Sequence, residues 1–325
     1  MALTIWTNAK FDPAVTQLLH DGTRAHRLVT APTASASVLT AGQTDTALAS
    51  ADIAFGQPDP ADCLRYANVK WVEVSTAGYT RYDTPEFLEG LRARGATFTN
   101  ASAVFADPCA QHVLAMMLAF GRQLLPSHRD QITDRSWHYA ERRYDSRLLT
   151  GQTAVLLGFG AIGRRLATLL APFGMTLYAL RRQTHSEPGV RIVPETELTR
   201  VLPLADHVIN ILPANPATEL YVNARRLACC RPTAKFYNVG RGSTVDQPAL
   251  AEALRSGKLA AAYLDVTEPE PLPPEHELWT TPNCYITPHT AGGRHDQDET
   301  IVRHFLANLV AFERGERGAM TDRVV

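Results

Sequence analysis

The stretch that most constrains this chain is 153–182, TAVLLGFGAIGRRLATLLAPFGMTLYALRR. It opens on an apolar run, Ala154 to Leu157, short enough for a strand buried on both faces. Gly158, Gly160 and Gly163 follow in G-x-G-x-x-G order, and then Ile162, Leu166, Leu169, Leu170 and Phe173 recur at helical spacing. Met175 to Leu180 is a second apolar run that returns the chain to the sheet. Strand, glycine turn, helix and strand together form the setting a dinucleotide fingerprint requires. Gly158 permits the tight turn, Gly160 lets the backbone approach a pyrophosphate, and Gly163 lets the helix pack on the strand. The helix start then presents the N–H groups of Ala161 and Ile162 to the anion.

Around this unit strands and helices alternate. After it come a helix at 195–202, a strand at 207–212, a helix at 223–230, a strand at 234–239, a helix at 247–256 and strands at 260–266 and 284–287. Such regular alternation indicates a doubly wound parallel sheet. Residues 1–100 read as a smaller α/β unit, with strands at 3–6, 51–55, 70–75 and 96–99 and helices at 13–20 and 86–94. A length of 325 residues suits two domains better than one core. PCAQHVLAMMLAFGRQL, from Pro108 to Leu124, is apolar nearly all round and reads as a buried helix, with His112 a satisfied core residue. The polar stretch after it, with Trp137 exposed in the pattern, reads as a surface linker or a dimer arm. A last helix, 298–313, carries Ile301, Phe305, Leu309 and Phe312 on one face and is placed to return to the first domain.

The balance of 32 Lys plus Arg against 33 Asp plus Glu leaves no basic field for nucleic acid or a membrane surface. Five cysteines form no C-x-x-C pair and no zinc spacing, so no metal site is expected. MALTIWTNAKF lacks a basic leader and a long apolar core, and a cytoplasmic protein is the expectation.

Three strand ends carry polar residues that a packed core does not need. They are Asn238-Val239-Gly240-Arg241-Gly242, Leu264-Asp265-Val266-Thr267-Glu268-Pro269-Glu270-Pro271 and Ile286-Thr287-Pro288-His289-Thr290-Ala291-Gly292. All follow parallel strands, so they share an edge with the glycine loop. Arg241 supplies a guanidinium that can grip a carboxylate with two hydrogen bonds. His289 supplies an imidazole able to move a proton near neutral pH, and Glu270 a carboxylate to orient and charge it. Earlier in the chain, Thr76-Ala77-Gly78-Tyr79 is a small-residue loop at a strand's C-terminal end.

NVGRGSTVDQPAL, AAYLDVTEPEPLPPEHELW and NCYITPHTAGG resemble the catalytic signatures of the D-2-hydroxyacid dehydrogenase family, and the likeness runs from KWVEVSTAG to the C-terminal helix. The resemblance implies two Rossmann-like domains: a discontinuous substrate domain of 1–100 with 294–325, and an NAD(P)-binding domain of 101–293. It implies Arg241, Glu270 and His289 as the catalytic triad. Asp265 would hold the nicotinamide carboxamide, with Leu212, Pro213 and Val239 as further cofactor contacts. The backbone of Ala77 and Gly78 would bind the substrate carboxylate, and a homodimer is implied. The formate dehydrogenase branch has Gln at the position of Glu270 and does not fit. Ala77-Gly78-Tyr79-Thr80 replaces the family's A-G-V-D, and Pro108-Cys109-Ala110-Gln111-His112 replaces A-V-A-E-H.

An NAD-specific fingerprint ends its second strand on Asp or Glu, but this chain has Arg181 and Arg182 there. Guanidinium groups at that point suit an adenosine 2′-phosphate, so NADP(H) is the expected cofactor, with NAD(H) as a weaker substitute. The resulting expectation is reduction of a small 2-oxoacid such as glyoxylate or hydroxypyruvate. A family enzyme with another substrate, such as phosphite, and a nucleotide-sensing co-repressor are the alternatives.

Overall fold

Twelve strands form two all-parallel sheets in the computed structural model, which describes residues 2–32, 44–181 and 187–325. The first sheet holds β1 (Thr4–Thr7), β2 (Arg27–Thr30), β3 (Ile53–Gly56), β4 (Trp71–Val74) and β5 (Thr97–Thr99), in the order β2-β1-β3-β4-β5. The second holds β6 (Thr153–Leu157), β7 (Thr176–Leu180), β8 (Val190–Val193), β9 (His207–Asn210), β10 (Lys235–Asn238), β11 (Ala261–Leu264) and β12 (Cys284–Ile286). Its order is β12-β11-β10-β9-β6-β7-β8, so the strand order reverses between β6 and β9. Ligands of open α/β sheets bind at such a reversal, outside the carboxyl ends of the strands. The residues divide into two compact units, Met1–Phe105 with Arg294–Val325, and Ala106–Gly293.

In the first unit the period of two along each strand sends alternate residues to opposite faces. Ile5, Phe55 and Trp71 pack with Ile301, Phe305, Leu309 and Phe312 of the helix Gln297–Glu313. Their neighbours Trp6, Ala54 and Val72 pack on the other side with Phe87 and Leu91 of the helix Pro85–Ala93. Phe305 stacks between Phe55 and Trp71, with ring centroids at 4.1 and 5.2 Å. Truncating such a ring to alanine costs about 3–5 kcal/mol, so Phe305→Ala would break this face open.

In the second unit Val155, Leu157, Val208, Phe236 and Leu264 pack with Leu198, Leu202, Leu227, Leu250 and Leu254. The apolar helix runs Ser102–Gly121, beginning earlier than the proline suggests, with Pro108 inside it. It is the one described helix long and apolar enough to cross a membrane by composition, at mean hydropathy 1.4. Its second half is engaged with the sheet, where His112 stacks on Tyr263 and Phe120 meets Tyr237 and Tyr285. The polar stretch after it contains two short helices, Leu124–Ile132 and Tyr139–Asp145, with Trp137 between them 91% exposed.

Candidate active site

Several helix starts in this protein carry a side-chain cap, and the one after the glycine loop does not. Asp12, Asp59 and Thr84 each precede a proline and accept a hydrogen bond from the backbone N–H three residues on. Asn223 and Asp246 cap their helices the same way. The helix Ala161–Leu170 begins on Gly160, and no side chain caps it. Its first-turn N–H groups are left to an external acceptor. Gly158 turns the chain at φ +97° with the Ile211 carbonyl 3.2 Å from where a Cβ would sit. A Cβ at Gly160 would meet nothing within 4 Å, so a side chain there would project into open space beside those N–H groups. A pyrophosphate fits this cradle, and the residues holding it would be Gly158, Gly160, Ala161, Ile162 and Gly163.

Because β6, β9, β10, β11 and β12 are parallel neighbours, the loops after them line one edge of the sheet. Arg241 leaves β10 in extended conformation and is held by a buried polar ladder. Its carbonyl accepts from Asn238 Nδ2 at 3.1 Å and Thr244 Oγ1 at 2.6 Å. Asn210 Nδ2 in turn donates to Asn238 Oδ1 and Thr244 Oγ1, at 2.9 and 2.7 Å. A Cβ at Gly242 would collide with the Thr267 carbonyl, so the next turn is closed as well. Arg241 Nη1 donates to the Gly240 carbonyl at 2.7 Å. Burial lowers the guanidinium's pKa, opposed by Glu270 and then Cys109. The Cys109 thiol is itself pushed up to about 12, by burial first and by Asp265 next, and stays protonated.

Glu270 and His289 meet as expected. Glu270 Oε1 accepts from the Thr267 N–H at 3.0 Å, and Oε2 lies 2.8 Å from His289 Nδ1. That contact occupies Nδ1 and leaves Nε2 as the nitrogen free to exchange a proton with another molecule. The hydrogen bond from Glu270 raises the pKa of His289; burial opposes it and the charge of Glu270 adds to it. Burial pulls Glu270 upward, but the hydrogen bonds from His289 and the Thr267 N–H outweigh it, and its pKa is lowered. His289 sits at φ +54°, a conformation a non-glycine residue adopts only when its surroundings hold it there. Asp265 does the holding. Its carbonyl accepts the His289 N–H at 2.8 Å, and its carboxylate accepts from Thr287 Oγ1, the Thr290 N–H and the Ala291 N–H at 2.6, 2.8 and 3.0 Å.

The remaining expected residues fall as follows. Leu212 and Pro213 follow β9, and Val239 follows β10, on the same edge as the glycine loop. Arg181 directly follows β7 and pairs with Glu187, Nη1 to Oε1 at 3.2 Å; Arg164 reaches the same oxygen at 3.7 Å. Arg182 lies outside the described residues. Ala77 and Gly78 are in the first unit, after β4, in a loop braced by Gln57, Thr76 and Asn100. The sequence reading missed the Asn210–Asn238–Thr244 ladder and the fastening role of Asp265. No spacing rule announces either, since both join residues about 22–34 positions apart. Among the described residues no group of three or more His, Cys, Asp or Glu is placed to hold a metal.

Residues 114–291 match the family model described as "D-isomer specific 2-hydroxyacid dehydrogenase, NAD binding domain". The human glyoxylate reductase/hydroxypyruvate reductase is 32% identical over 253 residues, 77% of this chain and 76% of that one. The glyoxylate reductase of Pyrococcus furiosus is 33% identical over 245 residues, covering 72% and 71% of the two chains. Among solved structures, a D-isomer specific 2-hydroxyacid dehydrogenase from Xanthobacter autotrophicus Py2, in complex with NADPH and MES, superposes with a TM-score of 0.82. It is 27% identical, and the match covers 100% of this chain and 98% of that one. A NADPH-dependent glyoxylate/hydroxypyruvate reductase from Sinorhizobium meliloti, in complex with NADP and malonate, gives a TM-score of 0.73 at 26% identity, covering 100% and 97%. The glycine cradle, the uncapped helix and these likenesses agree, and the chain belongs to the D-2-hydroxyacid dehydrogenase family of nicotinamide-dependent oxidoreductases.

Proposed function

We propose that this enzyme reduces a small 2-oxoacid of the glyoxylate or hydroxypyruvate type to the D-2-hydroxyacid, with NADPH preferred over NADH. The observation that carries the reading is the His289–Glu270 pair, 2.8 Å apart with Nε2 left to act. When bound, the dinucleotide supplies the hydride that adds to the carbonyl carbon. His289 gives its Nε2 proton to the oxygen as negative charge builds there, and Glu270 keeps the ring protonated until that moment. Positioned proton transfer of this kind contributes roughly 10²–10⁴-fold in rate. Arg241 pairs with the substrate carboxylate and polarises the keto oxygen, and its partial desolvation strengthens both interactions. The N–H groups of Ala77 and Gly78 hold the carboxylate, and Asp265 accepts from the carboxamide with the lone pairs the 287–291 loop leaves over. Arg181 and Arg182 receive the 2′-phosphate.

We place the enzyme in the cytoplasm as a homodimer. Ile132, Trp137, Tyr139, Tyr144 and Leu148 are exposed together in 132–148, which supports an arm that a second copy covers. Light scattering on wild type and Trp137→Glu measures that. The substrate reading is tested by following the nicotinamide absorbance with a panel of 2-oxoacids and both dinucleotides. Turnover confined to bulky 2-oxoacids, or a preference for NADH, would overturn it.

A further inference from the structure

The loop after β4 is built as an anion seat. Its carbonyls are all spoken for within the first unit. The Thr76 carbonyl accepts from the Ala101 N–H at 3.0 Å, the Ala77 carbonyl from Asn100 Nδ2 at 3.1 Å, and the Gly78 carbonyl from Thr76 Oγ1 at 2.7 Å. The N–H groups of Ala77 and Gly78 meet no acceptor among the described residues. A trans peptide is planar, so its C=O and N–H point in opposite directions. Holding the Thr76 carbonyl toward residue 101 therefore turns the Ala77 N–H away from it. Holding the Ala77 carbonyl toward Asn100 does the same for the Gly78 N–H. Two successive N–H groups are thereby aimed to one side, the concavity that binds carboxylates and phosphates.

One of these two restraints is main chain and the other is a side chain. Asn100 is 4% exposed and is itself fixed on three sides. Its N–H donates to the Asp322 carbonyl at 3.1 Å, and its Oδ1 accepts the Ser102 N–H at 3.0 Å. With Oδ1 committed to a donor, only the amide nitrogen can face the Ala77 carbonyl; the flipped amide would oppose donor to donor and acceptor to acceptor. Asp322 is anchored in turn, its carboxylate 3.2 Å from His304 Nε2 and accepting the Ala103 N–H at 2.6 Å.

We propose that Asn100 is a positioning residue for substrate recognition: it sets the Ala77–Gly78 peptide plane so that the Gly78 N–H faces the carboxylate of the 2-oxoacid. This rests on the reading above that the loop takes that carboxylate. Asn100→Asp is the matched test. It keeps the acceptor for Ser102 but sets an oxygen against the Ala77 carbonyl, which drives the peptide to turn.

The experiment measures kcat/KM for glyoxylate and for glycolaldehyde, its carboxylate-free counterpart, in wild type and variant, with the dissociation constant for NADPH and the melting temperature alongside. The ratio of the two kcat/KM values is expected to fall by about 10- to 100-fold in Asn100→Asp, the scale of one hydrogen bond to a charged group. The loss is carried by KM for glyoxylate, and NADPH binding changes less than about twofold. An unchanged ratio, or equal losses on both compounds, overturns the proposal and leaves Asn100 a structural residue. A wild type that does not favour glyoxylate over glycolaldehyde overturns the carboxylate reading itself, and the proposal with it. Asn100→Ser takes the same measurement should Asp at this buried position prevent folding.

Discussion

Gly160→Ala separates binding from stability. The residue has φ −91° and ψ −151°, an extended conformation open to alanine, and the added methyl meets no atom within 4 Å. Replacing glycine stabilises by about 0.4–1 kcal/mol through the unfolded chain. Losing glycine at a helix cap costs about as much. The two offset to within about 1 kcal/mol, so at roughly 2–4 °C per kcal/mol the cofactor-free enzyme should melt within about 4 °C of wild type. Binding is another matter. The methyl occupies the space beside the first-turn N–H groups, and one or two charge-assisted hydrogen bonds of about 1.5–3 kcal/mol each are lost. The dissociation constant for NADPH then rises about 100-fold. At a concentration of about 100 Kd, NADPH stabilises wild type by about 2.7 kcal/mol and the variant by only about 0.4 kcal/mol. Calorimetric melting with and without NADPH reads both quantities. Gly158→Ala, at φ +97° against the Ile211 carbonyl, should instead lower the melting temperature of the free enzyme. If Gly160→Ala keeps the full NADPH-induced rise, or destabilises the free enzyme as much as Gly158→Ala, the cradle has been placed wrongly.

Glu270→Gln removes the first cause of the raised His289 pKa and leaves burial, which lowers it, so the imidazolium should be lost at lower pH. Reductase activity should survive on the acid side and shrink near neutral pH, and an unchanged profile of kcat/KM from pH 5 to 9 would sink the pairing. Arg241→Lys should cost roughly 10²-fold in kcat/KM, close to Arg241→Ala, because an ammonium lacks the two-pronged grip; near-native steady-state kinetics would show that charge alone suffices. Glu187 engages Arg181 at 3.2 Å, so Glu187→Gln should lower KM for NADPH with little change for NADH. Arg181→Asp should erase an NADPH preference of at least about 10-fold, or about 1.4 kcal/mol, and either ratio staying at its wild-type value counts against the 2′-phosphate assignment. Burial pulls His304 down, but its bonds to Asp322 and Glu73 prevail and hold its pKa at about 9 against an ordinary 6.5. A group raised on folding stabilises fully below its unfolded pKa and loses that contribution as pH climbs through the folded one. Between pH 6.5 and 9 wild type should lose up to about 3 kcal/mol, a slope that His304→Gln flattens in chemical denaturation.

What could be read from the sequence follows the strength of its periodic signals. The buried central strand Ala154 to Leu157 is an apolar run and stands where the pattern places it, and the strand read at 207–212 forms over His207–Asn210. The edge strands β2 and β8 went unread, since Arg27–Thr30 and Val190–Val193 each face solvent on part of their length and carry a charge. Asn223–Cys230 reads as one helix, yet only Ala224–Leu227 is α-helical and Arg231 then reaches back to the Ala205 carbonyl. The placement of Arg241, Glu270 and His289 after parallel strands of one sheet was legible because motif and topology coincide there. The braces were not. Asp265 reads as a ligand contact, and its four hydrogen bonds to the His289 loop emerge only from the pairing of β11 with β12. Asn100 looks like any polar residue between a strand and a helix, and its partner Asp322 lies 222 positions away along the chain.

The stacking of Phe305 between Phe55 and Trp71 bears on how the protein is made. Residues 106–293 are one uninterrupted segment, so on the ribosome the second unit is finished while the first still lacks the helix Gln297–Glu313. Phe55, Trp71 and Ile5 must wait for Phe305 and Phe312 with one apolar face of their sheet uncovered. Translation at roughly 5–20 residues per second stretches that interval to roughly 10–40 s, long compared with the collapse of a chain this size. During that window the nascent chain presents an aromatic surface to chaperones, and the unit emerging first from the exit tunnel is the last to become native.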